Sequence, residues 1–246
     1  MNANDAIPEP PGTLEDTGRL ALGFRDSLAP PSAGLAARFG AAEWGLDFYL
    51  AGSAALALYI GHRPVRDLDL MSNANRLTPP DRRDLLGSLL DIEPGTEVET
   101  ARDGYLFVRM PGAGSEGGVG VRFFYYPYPL ADAFEEIDGL SVASAVDLGL
   151  MKLGAIISRG TRRDFVDLYL LGRHLPLAGL LARAEDKFGH VRDFPLQALK
   201  GLADFSAADE AMPKLSEPLE WSEVQGWFEG QVRDLGRRHA GLGESE

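Results

Sequence analysis

Residues 50–71 read LAGSAALALYIGHRPVRDLDLM, and the fold turns on this stretch. It opens at the end of Asp47 to Ala51, an aromatic and apolar segment that suits a short strand. Gly52 and Ser53 then form a turn, Ala54 to Ile60 is a helix of small and apolar residues, and Gly61 closes it. From Val65 to Met71 the chain alternates, with Val65, Asp67 and Asp69 on one side and Arg66, Leu68 and Leu70 on the other. That period of two predicts a strand with both carboxylates on one face. A Gly-Ser turn at a helix N-terminus offers backbone N–H groups, a hydroxyl and the positive end of the helix dipole to a phosphate. Carboxylates at i and i+2 can share Mg²⁺, which in turn grips a triphosphate and activates an attacking hydroxyl. Each half is common by itself; here one short helix joins them, with Asp67 fourteen residues past Ser53.

Working outward, residues 1–13 hold Pro8, Pro10, Pro11 and Gly12 and read as a loose lead-in. Pro30 and Pro31 read as the end of a short helical stretch, and Ser32 as the N-cap of a helix to about Trp44. Residues 79–91 suit a surface helix. Glu97–Ala101, Tyr105–Met110 and Val119–Tyr126 suit strands, with the glycine-rich Gly112–Gly118 as a hairpin tip. From Ser144 onward the strand pattern stops, and helices are expected at about 144–158, 162–173, 176–188 and 219–238. The expectation is an α+β chain in three parts: a lead-in at 1–31, an α/β core with a mixed sheet at 32–140, and a helical region at 141–246.

Composition narrows the chemistry. The 246 residues include no cysteine, which excludes a disulfide scaffold, a thiolate metal site and a catalytic thiol. No apolar run approaches the roughly 18 residues of a membrane-spanning helix, and Met1 to Pro11 lacks the basic start of a secretory signal. A cytoplasmic protein is expected. The net charge of −13 argues against a chain coated in nucleic acid, but not against a local anion site. Residues 141–173 carry five bases and three acids, so positive charge gathers there, whereas 203–246 carries ten acids and four bases. Lys152 sits in the otherwise apolar run Leu148–Ile157. Such a lysine either snorkels to the surface or aims its charge at a phosphate or carboxylate. Arg163 and Asp167 at i, i+4, and Asp164 and Asp167 at i, i+3, can share one helix face. His62 and Arg63 lie in the loop that enters the acidic strand, a position suited to contact with phosphate or with the carboxylates.

Two blocks, in order, carry a family likeness. Leu50 to Leu58 with Gly61-His62-Arg63 and Asp67-Leu68-Asp69, and then Asp147 to Ile156 with Arg159 to Tyr169, resemble the AbiEii/AbiGii nucleotidyltransferase toxins. The likeness runs from about Phe48 to Phe228. It implies a DNA polymerase β-like nucleotidyltransferase core followed by a helical half. The activity implied is transfer of NMP from an NTP to a hydroxyl, with an RNA (tRNA) 3′ end as favoured acceptor and an antitoxin as a possible partner. In that reading Asp67 and Asp69 bind metal and act in catalysis with Lys152 and Asp167, while Gly52, Ser53, His62, Arg63 and Arg163 bind the nucleotide. One departure stands out. Polymerase β-like enzymes hold a third carboxylate on a neighbouring strand, and Val119–Tyr126 has no acid. Glu97 and Glu99, on one face of another predicted strand, are the candidate substitutes. The alternative is therefore a catalytically weak or inactive member that binds nucleotide or an antitoxin.

Overall fold

The computed structural model describes residues 20–112 and 117–239. Most of the lead-in and the hairpin tip at 113–116 lie outside the described residues. Helix α1 spans Pro30–Gly40, so Pro30 and Pro31 begin a helix rather than end one. Proline suits the first turn, where its missing N–H would have no intrahelical partner. Ser32 accordingly lies inside α1 and is not its cap; its hydroxyl donates to the carbonyl of Arg66. A 3-10 turn at Glu43–Asp47 leads to β1, Tyr49–Ala51, and then to α2, Gly52–Ile60. Six residues of α2, Ala54 to Tyr59, are buried, so the helix is enclosed on all sides and shows no polar stripe. Gly61 ends it in the left-handed conformation, φ 60°.

Strand β2 is Leu68–Ser72, and α3, Pro79–Ile92, follows with a reciprocal Thr78/Asp81 capping box. Strands β3 (Glu97–Arg102), β4 (Tyr105–Met110) and β5 (Val119–Tyr125) form a meander. Two three-residue strands, β6 (Glu135–Ile137) and β7 (Leu140–Val142), precede the helices and go beyond the sequence expectation. Then come α4 (Ala145–Ser158), capped by Ser144, and α5 (Arg162–Gly172), capped by Thr161. The expected helix over 176–188 is two, α6 (Leu177–Ala182) and α7 (Ala184–Phe188), parted at Arg183. Helix α8, Phe194–Leu202, was not expected, and α9, Trp221–His239, was.

The strands make one mixed sheet in the order β3-β4-β5-β2-β1-β7-β6. β1 runs antiparallel to β2 and parallel to β7, and β2 runs parallel to β5. Two apolar clusters result. One lies against the sheet and includes α1 and α2; the other joins the helices from α4 to α9. Helix α4 is the seam, with Ala145 and Leu148 in the first cluster and Leu150, Leu153 and Ile156 in the second. A fully buried ion pair, Lys187 Nζ to Asp147 Oδ1 at 2.7 Å, fixes the segment before β6 to this seam. Asp147 also accepts from the N–H groups of Ala131 and Asp132 and from the Ser144 hydroxyl, which satisfies the buried charge. No helix among the described residues is long and apolar enough to cross a membrane.

Candidate active site

The strand register builds the acidic half of the site. Ala51 on β1 pairs with Asp69 on β2, and Asp69 pairs in turn with Arg122 on β5. Each carboxylate is seated on a glycine. Gly52 has φ +63°, and a Cβ there would stand 2.6 Å from Asp69 Oδ2. A Cβ on Gly120 would stand 2.8 Å from Asp67 Oδ1, and the Gly120 N–H donates to that oxygen. Only glycine leaves the carboxylates this room.

On the neighbouring strand β5, which has no acid, an arginine stands opposite Asp69. Arg122 Nη2 lies 2.9 Å from Asp67 Oδ2, and Nη1 lies 3.4 Å from Asp69 Oδ1. Glu97 and Glu99 do not substitute for an acid there: they sit on exposed β3 at the sheet edge, and Glu99 pairs with Arg109 at 2.8 Å. Burial pushes the Asp69 carboxyl above its ordinary value, against the pull of Arg122 and Lys152. Among the described residues, Asp69 Oδ2, the oxygen facing Gly52, has no close cation like the one on Oδ1. A Mg²⁺ ion keeps several waters and is bound through one or two carboxylates plus substrate phosphates. Asp69 on β2 and Asp67 just before it, both held against glycine backbone and both reached by Arg122, are two carboxylates close enough together to fit such an ion, and no cluster of three or more acidic or imidazole ligands that could hold a metal exists among the described residues.

The cationic half comes from α2, the loop after it, α4 and α5, and its centre is Asp167. This carboxylate is fully buried and accepts at both oxygens. Lys152 Nζ at 2.7 Å and the Ser53 hydroxyl at 3.0 Å reach Oδ2; His62 Nε2 at 3.2 Å reaches Oδ1. Arg63 Nε stands 3.9 Å from Oδ1. Burial alone would raise the Asp167 carboxyl, but the Lys152 charge, the His62 hydrogen bond and Arg63 hold it far below the usual range. Lys152 also reaches Asp164 Oδ1 at 3.2 Å, which Arg159 grips with two hydrogen bonds and Thr161 with one. Burial opposes ionisation of Asp164 too, yet those partners bring it down to about 2.

Sequence reasoning brought together most of these residues. Lys152 is buried and paired, so it does not snorkel into solvent. Ser53 is on α2 but does not cap it: the N-cap position is Ala51, and the Ser53 hydroxyl is committed to Asp167. Arg163 makes its presence felt as a like charge that lowers the Arg63 guanidinium, after burial. Arg122 and Arg159 were not singled out, and Asp164 was named only as a helix-face neighbour of Asp167, with no role. Asp164 and Arg159 had a signal in their spacing, i−3 and i−8 from Asp167; Arg122 had none without the β2–β5 pairing.

The two halves adjoin, since Asp69 feels the charges of Lys152, Arg63 and Arg159. The junction is rich in donors. Lys152 has three ammonium protons, and its two carboxylate partners leave one over. Buried atoms with no hydrogen-bond partner among the described residues include Arg63 Nε and Nη2 and His62 Nδ1. Of these, the two Arg63 N–H donors are costly when buried unless something fills them, and an anion such as a polyphosphate would.

The family described as nucleotidyl transferase AbiEii toxin, Type IV TA system, matches residues 34–235. An uncharacterized protein of Aquifex aeolicus (strain VF5), aq_aa25, is 30% identical over 192 residues, covering 76% of this chain and 87% of its own length. Among solved structures, a proposed nucleotidyltransferase from H. pylori superposes with a TM-score of 0.50 at 16% identity, covering 86% of this chain and 95% of that one. JHP933 from Helicobacter pylori gives a TM-score of 0.45 at 16% identity, over 92% of this chain and 100% of that one.

Proposed function

This chain belongs to the AbiEii toxin family of nucleotidyltransferases, and we propose that it moves a nucleoside monophosphate from an NTP to the 3′ hydroxyl of an RNA, a tRNA end foremost. The observation that carries this reading is the junction itself: paired carboxylates on glycine seats adjoin buried Arg63 N–H donors that have no hydrogen-bond partner among the described residues. In this reading Asp67 and Asp69 hold a divalent cation, Mg²⁺ in the cell, which supplies charge neutralisation for the triphosphate. The N-terminus of α2 and the backbone at Gly52 cradle a phosphate. Lys152 directs its spare proton at the phosphates, with Arg63 and Arg163 beside it. Asp167 is a positioning residue: it stays ionised and so keeps Lys152, Ser53 and His62 in place. The acceptor oxygen forms a bond to the α-phosphorus, the bond to the bridging oxygen breaks, pyrophosphate leaves, and the acceptor proton passes to solvent. The nucleotide thus bridges the α/β core and the helical region. The family's toxin–antitoxin description supports an antitoxin as partner, and the same reading has the chain act in the cytoplasm.

The test is incubation with each labelled NTP, Mg²⁺ and total RNA. Label should enter RNA, stop with EDTA, and vanish in the Asp67→Asn/Asp69→Asn double variant with its fold intact. Protection by ATP and Mg²⁺ without pyrophosphate release would instead mark a nucleotide-binding member. Label in protein or small molecules would overturn the RNA acceptor.

A further inference from the structure

The sheet continues past the carboxylates on the side away from the phosphate-binding elements. On the face that bears Asp69, the register runs from Asp69 to Arg122 on β5 and Phe107 on β4. The next row runs from Met71 to Phe124, Tyr105 and Arg102 on β3. The opposite face of these strands, Leu106, Val108, Val121 and Phe123, is buried in the core. Phe107, Tyr105 and Phe124 are only half-buried. Arginines lie against their rings: Arg122 is 4.7 Å from the Phe107 centroid, Arg109 is 5.6 Å from the same ring, and Arg102 is 4.8 Å from that of Tyr105. Tyr105 and Phe124 rings sit 5.0 Å apart. Arg109 is held by Glu99 at 2.8 Å and Arg122 by Asp67 and Asp69, so the surface alternates charge-paired guanidinium planes with aromatic rings and favours flat bases by stacking rather than by net charge.

We propose that this face, Tyr105, Phe107 and Phe124 with Arg102, Arg109 and Arg122, is a stacking platform for the unpaired 3′ end of the acceptor RNA. The proposal rests on the nucleotidyltransferase reading for where the hydroxyl must arrive. Asp69 separates two neighbourhoods: β1 and α2, with the phosphate donors, lie on one side, and β5 and β4 lie on the other. An in-line displacement requires the attacking hydroxyl to approach opposite the leaving pyrophosphate. The aromatic rows begin on that opposite side, at Phe107 two strands from Asp69 and at Phe124 on the adjacent strand, so bases stacked along them deliver the terminal ribose to the carboxylates. Stacking is tolerant of base identity, and it selects single strands because paired bases hide their faces.

The experiment compares wild type with Phe107→Leu, Tyr105→Leu and Phe107→Trp. Affinity for a fluorescent RNA oligonucleotide with an unpaired 3′ end is read by anisotropy, and affinity for Mg²⁺-ATP by calorimetry. Leucine keeps apolar bulk and strand packing but removes the π-face. Each leucine variant should weaken RNA binding roughly 10-fold, as loss of one base–aromatic stack does. Phe107→Trp should stay near wild type, ATP affinity should be unchanged in all three, and blunt duplex RNA should not compete. RNA affinity unmoved by leucine, an equal fall in ATP affinity, or a wild type that binds ATP but no RNA would overturn the platform. A wild type that binds RNA in this ring-dependent way but no NTP would leave the platform standing and sink the nucleotidyltransferase reading instead.

Discussion

Replacing Lys152 by methionine tests the centre of the site. The side chain keeps its length and apolar stem but loses the charge that touches Asp167 at 2.7 Å and Asp164 at 3.2 Å, both within a buried network. Breaking a buried ion pair from one side costs about 3–5 kcal/mol, because the other charge stays behind unpaired. The lower end applies here. Asp164 keeps Arg159 and Thr161, and Asp167 keeps Ser53, His62 and nearby Arg63. We therefore expect a loss of about 3 kcal/mol in urea unfolding at neutral pH, which corresponds to roughly 6–12 °C in melting temperature for a chain of this size. The pH dependence has a definite sign. Asp164 is lowered to about 2 and Asp167 lies lower still, so their contribution is full above the ordinary carboxylate range and falls away as pH drops. Lys152 is raised above its ordinary value, its partners outweighing burial, so its contribution is full below that value and falls away as pH climbs past it. The difference between variant and wild type should form a plateau from about pH 5 to 10 and shrink outside it. Adding Asp167→Asn to the methionine variant removes the stranded charge and should recover at least ~1 kcal/mol. Nucleotidyl transfer should fall about 10²–10³-fold, as when one electrostatic donor to a transition state is lost. A cost below about 1 kcal/mol, or one that is flat across the whole pH range, would refute the buried pair.

Three other changes probe separate parts of the argument. Gly120→Ala places a Cβ 2.8 Å from Asp67 Oδ1; because the Asp67 side chain can swing, stability should fall by only about 1 kcal/mol while affinity for Mg²⁺-ATP drops, and unchanged affinity would dissociate Asp67 from nucleotide binding. Arg122→Ala removes the cation that bridges Asp67 and Asp69; Mn²⁺ titration without nucleotide should show roughly tenfold tighter binding, and no change would mean the guanidinium does not compete with metal. Lys187→Met strands the fully buried Asp147 carboxylate; chemical unfolding should show a loss of about 3–5 kcal/mol with nucleotide affinity intact, and a variant as stable as wild type would show that the hydrogen bonds to Asp147 alone suffice.

Much of the fold was legible because it rests on local signals. Gly52, Gly61 and the alternation into Asp69 mark strand, helix and strand within 22 residues, and each mark has a backbone cause. The ends of α4 and α5 were readable because Ser144 and Thr161 cap them. Pro30 was misread because proline both stops a helix and starts one, and only the chain before it decides. β6 and β7 have three residues each, too few for a period to appear, and β7 exists because β1 offers it a parallel edge. The Ser53 hydroxyl read as a phosphate contact at the start of α2, yet it donates to a buried carboxylate 114 residues away, which local spacing does not reveal.

Arg122 shows where local reading ends and topology begins. Its meaning depends on β5 lying beside β2 in parallel, with Asp69 opposite it, a pairing across 53 residues that no spacing rule encodes. The same register gives the residue three neighbours of two kinds: a carboxylate pair on one side, and the Phe107 ring on the other. A carboxylate at that position would add to a crowded negative charge, whereas a guanidinium neutralises Asp67 and Asp69 while the nucleotide is absent. It also converts the edge of the acidic centre into the first step of an aromatic surface. The substitution of sign at one strand position therefore bears on both ends of the reaction: how readily a cation enters beside Asp69, and how an acceptor strand meets the carboxylates once it has.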